Sequence, residues 1–154
     1  MYEIYLRKNL EFSSAHFVVE TEKCERLHGH NYKVSVNLWG DVDDIGYLVD
    51  FLYLKKVARD ICRSLDHKIL IAEKNNKLKI KKGDRIEVEF KDKKFVFPRD
   101  DCLLLPIKNT SAELLASFLL KKLKEKLLKF KNIRRIKVGV AEDFGQWGFY
   151  GERF

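Results

Sequence analysis

Two of the four histidines stand two residues apart, in Leu27-His28-Gly29-His30, at the entry to an alternating stretch from Tyr32 to Leu38. In an extended chain, residues i and i+2 point to one face, so His28 and His30 can reach one metal ion. His16, within Phe12-Ser13-Ser14-Ala15-His16-Phe17, lies where a strand pairing with that stretch would bring a third imidazole. Three imidazoles with a vacant fourth position make a catalytic-type zinc site, whereas structural zinc is closed by four protein ligands. The alternative for each histidine is a surface residue or a satisfied core residue, and His-x-His also arises by chance. The neighbouring residues decide the matter.

Cys24 precedes His28 by four residues and is flanked by Lys23, Glu25 and Arg26. Lys23 and Arg26 favour the thiolate, the reactive form. Cys62 and Cys102 lie in apolar surroundings and read as packing residues. Asp66-His67 places a carboxylate beside an imidazole, where it can orient the ring and raise its basicity. The alternative is a histidine at a helix C-terminus interacting with the last carbonyls. Glu142 shares the parity of Ile136, Val138 and Val140, so it either continues the inward face of a strand or lies exposed beyond its end. An inward carboxylate is costly unless paired, and a guanidine-like edge would satisfy it.

The elements that must position these groups are partly readable. Tyr32 to Leu38 alternates as a half-buried strand does. Asp50 reads as the N-cap of a helix to about Ser64, with Phe51, Leu54, Ala58, Ile61 and Leu65 facing a core. Thr110-Ser111-Ala112-Glu113 reads as a capping box opening a second helix, with Leu115, Phe118, Leu119, Leu123 and Leu127 on its apolar face. Arg85 to Phe90 and Lys94 to Phe97 flank Lys91-Asp92-Lys93 as a hairpin with a polar tip. Ile136 to Val140, a turn near Phe144-Gly145 and an aromatic-rich strand to Phe154 close the chain. The order β-β-α-(hairpin)-α-β-β, with mostly antiparallel neighbours, is α+β.

The 154 residues are 45% hydrophobic and 35% charged, which suits one domain over residues 1–154, without an internal repeat or linker. No stretch approaches the roughly 18 apolar residues that span a bilayer, and no signal peptide is visible at the N-terminus. Three cysteines without repeated spacing disfavour a disulfide framework and predict a reduced, cytoplasmic protein. The formal charge of +8 could attract nucleic acid, anionic lipid or a phosphorylated small molecule. A basic nucleic-acid-binding protein with structural zinc is the competing class, but it leaves Cys24 and an open three-histidine site unexplained.

Taken together these residues resemble the 6-pyruvoyl-tetrahydropterin synthase / 6-carboxy-5,6,7,8-tetrahydropterin synthase family. The landmarks are Phe12 to His16, Cys24-Glu25-Arg26-Leu27-His28-Gly29-His30, Gly46 to Phe51, Leu65-Asp66-His67, Asn109 to Glu113 and Val140-Ala141-Glu142. The resemblance implies the tunnelling fold, a four-stranded antiparallel sheet with two helices on one face, here with an inserted β hairpin. It implies homo-oligomers, trimers stacked as homohexamers, with active sites between subunits; Cys24 would serve its own subunit's zinc or a neighbour's. It assigns zinc to His16, His28 and His30, and proton handling to Cys24, Asp66 and His67. It assigns pterin anchoring to Glu142 and further pterin contacts to Thr110 and Ser111, and leaves Glu113 as a helix cap.

The implied reaction converts 7,8-dihydroneopterin triphosphate to 6-carboxy-5,6,7,8-tetrahydropterin, acetaldehyde and triphosphate, towards queuosine or archaeosine, without nucleic-acid or membrane partners. One alternative forms 6-pyruvoyl-tetrahydropterin by triphosphate elimination alone. Another branch cleaves dihydroneopterin-type substrates with a glutamate in place of the cysteine; Cys24 argues against it, and adjacent Glu25 keeps it open. Three features depart from the pattern: Ile71 stands where compact bacterial members have an asparagine, Asn109 where a proline is usual, and the segment from Ile71 to Pro106 is longer.

Overall fold

The alternating stretch is the middle of a longer strand, His28–Gly40 (β3), in the computed structural model, which describes all of Met1–Phe154. Two strands share one edge of β3 end to end. Tyr2–Leu6 (β1) pairs with its C-terminal half, and Glu11–His16 (β2) with its N-terminal half, both antiparallel. On the other edge lies Ile133–Asp143 (β9), followed through a turn at Phe144-Gly145 by Gln146–Arg153 (β10). The expected antiparallel core β10-β9-β3-β2 is therefore present. It is extended beyond β2 by two parallel strands, Lys68–Ala72 (β4) and Cys102–Leu105 (β8).

Both helices cover one face of this sheet. Phe51–Leu65 (α1) begins at Asp50, whose Oδ1 accepts from the Leu52 amide at 2.8 Å, as the sequence predicts. It buries Leu54, Val57, Ala58, Cys62 and Leu65, while Phe51, expected in the core, is 41% exposed because it opens the helix outside the packed turns. Ala112–Leu127 (α2) buries Leu115, Leu119, Leu120, Leu123 and Leu127 against Val34, Val36, Val138 and Val140 of the sheet. The cap of α2 is Ser111, whose Oγ accepts from the Leu114 amide. The predicted capping box on Thr110 is not formed, because Thr110 is drawn into the core by the bonds described below.

The predicted hairpin is Arg85–Phe90 (β6) and Lys93–Pro98 (β7), turning on Lys91 and Asp92. A third strand, Lys79–Lys82 (β5), completes a small separate sheet. Ile86, Val88, Phe90 and Phe97 of this sheet form a second apolar cluster with Phe17, Val19, Ile71 and Leu78. No helix is long and apolar enough to cross a membrane.

Candidate active site

The register of β2 on β3 pairs His16 with His28 and Ser14 with His30. Because alternate residues share a face, all three imidazoles emerge on the helix side, beside buried Phe12 and Tyr32. One ligand atom of each ring lies within 4.8 Å of the others, so this group could hold a metal ion. The outer nitrogens of two rings are occupied. His16 Nδ1 faces the Thr110 carbonyl at 3.0 Å and the Tyr32 hydroxyl at 3.2 Å, and His28 Nδ1 faces the Arg26 carbonyl at 2.6 Å. Donation to those carbonyls leaves the two Nε2 lone pairs facing each other, 3.1 Å apart. Two opposed lone pairs repel, and a cation between them relieves this. His30 Nε2 is buried with no partner in the chain, a further unmet demand for a ligand. Burial, then the neighbouring His28 and His30, push His16 down to about 4. Its ring is thus neutral at physiological pH, the form that binds metal.

Glu142 lies inside β9, which runs on past Ala141 to Asp143, so it is not beyond the strand end. Its Oε1 stands 4.0 Å from His16 Nε2. It also borders a cleft of about 370 Å³ walled by Cys24, Thr21, Ser111, Trp147 and Gly148. Cys24 is exposed there on a short 3-10 turn, Glu22–Glu25. Gly148 is required at the back of this cleft, because a Cβ would stand 2.7 Å from the Glu113 amide at the start of α2. Ser111 reaches the wall; Thr110 does not. Thr110 is fully buried behind His16, with its hydroxyl spent on the His16 ring at 3.1 Å and the Phe17 carbonyl at 3.2 Å.

Asp66 and His67 face elsewhere. Asp66 Oδ1 accepts from the Ser13 amide at 2.7 Å and Oδ2 from His67 Nδ1 at 2.8 Å, while the His67 amide donates to the Ser13 carbonyl at 2.7 Å. Those bonds, led by the Ser13 amide, hold the Asp66 carboxyl below its ordinary range. They also keep His67 at φ 57°, a left-handed conformation uncommon outside glycine. His67 opens on a second cleft of about 530 Å³ lined by Ser13, Ala15, Asn31 and Lys68, and by His30 as well. Ser13, Ala15 and Asn31 have the opposite parity to His16 and His30 and point to the other face of the sheet, so this cleft is shared between residues of both parities. Glu142 thus stands beside the imidazole group and also lines the cleft of Cys24 and Ser111, while Asp66 and His67 bond to each other and to Ser13, with His67 sharing its cleft with His30.

Sequence reasoning missed Tyr32, Trp147 and Gly148 at the site. The parity of Tyr32 with His30 was a usable signal for the first; the other two depend on β10 lying against α2.

A family model described as 6-pyruvoyl tetrahydropterin synthase matches residues 5–153. The chain belongs to that family. A Methanocaldococcus jannaschii protein, provisionally named as a 6-carboxy-5,6,7,8-tetrahydropterin synthase, is 35% identical over 149 residues, 94% of this chain and 91% of that one. A Pyrococcus horikoshii protein with the same provisional name is 34% identical, over 92% and 84% of the two chains. A solved structure of Plasmodium vivax 6-pyruvoyltetrahydropterin synthase, a variant in which a catalytic glutamate is replaced by alanine, superimposes with a TM-score of 0.92. It is 31% identical and covers 99% of this chain and 98% of its own. This family's fold is the one described above.

Proposed function

We propose that the chain is a cytoplasmic zinc-dependent lyase that converts 7,8-dihydroneopterin triphosphate to 6-carboxy-5,6,7,8-tetrahydropterin, acetaldehyde and triphosphate, a step towards 7-deazaguanine nucleosides. The observation that carries the reading is the convergence of three ligand-ready imidazoles beside Glu142, which itself lines the cleft that holds Cys24. His16, His28 and His30 would hold the zinc: its bonds of 2.0–2.1 Å to nitrogen place tetrahedral ligands about 3.3 Å apart, close to the separation of the His16 and His28 Nε2 atoms. When bound, the zinc supplies a Lewis acid that acidifies the side-chain O–H and C–H bonds of the substrate.

The chain's own residues do the rest. Glu142 accepts from the 2-amino and N3 positions of the pterin ring as a bidentate carboxylate. Ser111 contacts the same ring, and Thr110 acts one step back by fixing the tautomer and direction of His16. Cys24, as thiolate, takes a proton from the side chain. Asp66 orients His67 so that the imidazole can exchange a proton, and the pair makes no bond to the three imidazoles or to Cys24. In this reading it serves the site of a second copy of the chain, with active sites formed between subunits of a trimer or hexamer.

The high structural likeness to the Plasmodium vivax enzyme favours, as the second reading, the pyruvoyl product formed by triphosphate elimination alone. Carboxylate-based cleavage at Glu25 is disfavoured, because that side chain is buried and bonded to Lys91 rather than lining the cleft. Incubating zinc-loaded protein with 7,8-dihydroneopterin triphosphate and identifying the products by mass spectrometry tests the assignment. Carboxytetrahydropterin with acetaldehyde is expected. Pyruvoyl-tetrahydropterin would move the protein to the second reading, and no turnover despite bound metal would overturn both.

A further inference from the structure

The segment from Phe17 to Leu27 joins β2 to β3 and carries Cys24, yet it belongs to neither strand. The small inserted sheet holds it. Phe17 and Val19 enter the second apolar cluster with Ile86, Val88 and Phe90, and Phe17 stacks on Phe95 with ring centroids 4.8 Å apart. Lys77 pairs with Glu20. At the end nearest the cleft, Lys91 projects from the turn between β6 and β7. Its Nζ donates to both carboxylate oxygens of Glu25, at 2.9 and 3.1 Å. Glu25 is only 6% exposed. The carboxylate is enclosed on the chain's side and bonded on the outer side by a cation that stays in water, so Lys91 is the group that holds it in place.

Glu25 is covalently adjacent to Cys24, and both lie on the same 3-10 turn. We propose that Lys91 is a positioning residue for the reaction: through Glu25 it fixes the turn that presents the Cys24 thiol to the cleft, and the inserted sheet is the scaffold of that thiol. The inference rests on the reading of Cys24 as the base. Without Lys91, the Glu25 carboxylate has two courses. It stays enclosed and unpaired beside the thiol, or it swings to water and carries the turn with it. The first raises the thiol's proton affinity; the second moves the sulfur. The charged groups around the turn of Cys24 are Glu22, Lys23, Glu25 and Arg26 from its own segment, Glu113 and Glu142 lining the cleft with Cys24, and Lys91 and Lys93 of the hairpin facing Glu25. Among these, Lys91 is the group that bonds to the turn itself.

The test compares full-length, zinc-loaded wild type with Lys91→Met and Lys91→Arg. Three quantities are read: amide hydrogen exchange across Glu22–Glu25, the pH profile of Cys24 alkylation by iodoacetamide followed by peptide mass, and steady-state turnover. Lys91→Met is expected to speed exchange in the turn about tenfold. The alkylation midpoint should move to higher pH. The value of kcat should fall about 10- to 100-fold, as for a misplaced catalytic group, with KM within about twofold. Lys91→Arg should restore all three. Because the Lys91 side chain is 56% exposed at a hairpin tip, its truncation is compatible with folding. Glu25→Gln, which keeps an acceptor but loses the charge, should speed exchange in the same turn. Exchange and alkylation unchanged in Lys91→Met would overturn the proposal. Failure of the wild type to process the pterin would sink the reading of the function, while exchange and alkylation would still decide the role of Lys91.

Discussion

If the buried His16 imidazole is held neutral for a cation, the metal-free protein must lose stability in mild acid, and His16 must cause a defined share of the loss. His16 is fully buried and titrates near 4 in the folded chain, against about 6.5 when unfolded. Below pH 6.5 the unfolded chain takes up a proton that the native ring refuses. Stability therefore falls with pH until about 4, where the native ring is also protonated. At about 1.36 kcal/mol per pH unit, the window is worth about 3 kcal/mol. Urea unfolding of metal-free wild type and His16→Gln, at intervals from neutral pH to about pH 4, isolates this contribution. Asp66, whose carboxyl is held low by Ser13 and His67, also loses stabilisation in acid, but it does so in both proteins and cancels. The wild type should lose about 3 kcal/mol more than the variant, and saturating zinc should offset part of that loss by binding only the folded, unprotonated site. Parallel pH curves for the two proteins would refute the reasoning.

Cys24→Ala should keep about one zinc per chain, measured by elemental analysis, and lose turnover about 10²- to 10⁴-fold, the worth of a positioned base. Glu142→Gln should raise KM for the pterin about 10- to 100-fold, through about 1.5–3 kcal/mol of lost charge-assisted bonding, while zinc content stays unchanged. Gly148→Ala should lower stability in thermal melts by about 1–3 kcal/mol and raise KM, because the added methyl drives the start of α2, and Ser111 with it, out of place.

Where the sequence was informative, one local rule governed the outcome. The alternation along β3 placed His28 and His30 on one face, and the pairing with β2 that supplies His16 follows from the same parity. The side chain of Asp50 capped its helix because nothing competed for it. Thr110 did not cap, because the His16 ring and the Phe17 carbonyl took its hydroxyl, and Ser111 served instead. The strands β4 and β8 were illegible for another reason. Leu70, Ile71 and Leu103 to Leu105 form continuous apolar runs in parallel pairing, which carry no period-two signal. The position of Asp66-His67 relative to the three imidazoles could not be read at all. It depends on β4 lying beside β2, a contact between segments more than 50 residues apart. The Lys91–Glu25 bond is hidden for the same reason.

The proposed sharing of the site between two copies of the chain gives the account its most direct test. Cys24→Ala and His67→Ala should each be inactive alone. Unfolded and refolded together in equal amounts, they should regain activity, with about a quarter of the sites combining an intact Cys24 from one chain with an intact Asp66–His67 pair from another. Mixtures as inactive as the separate variants would mean that one chain supplies both groups to its own metal, and would contradict the account.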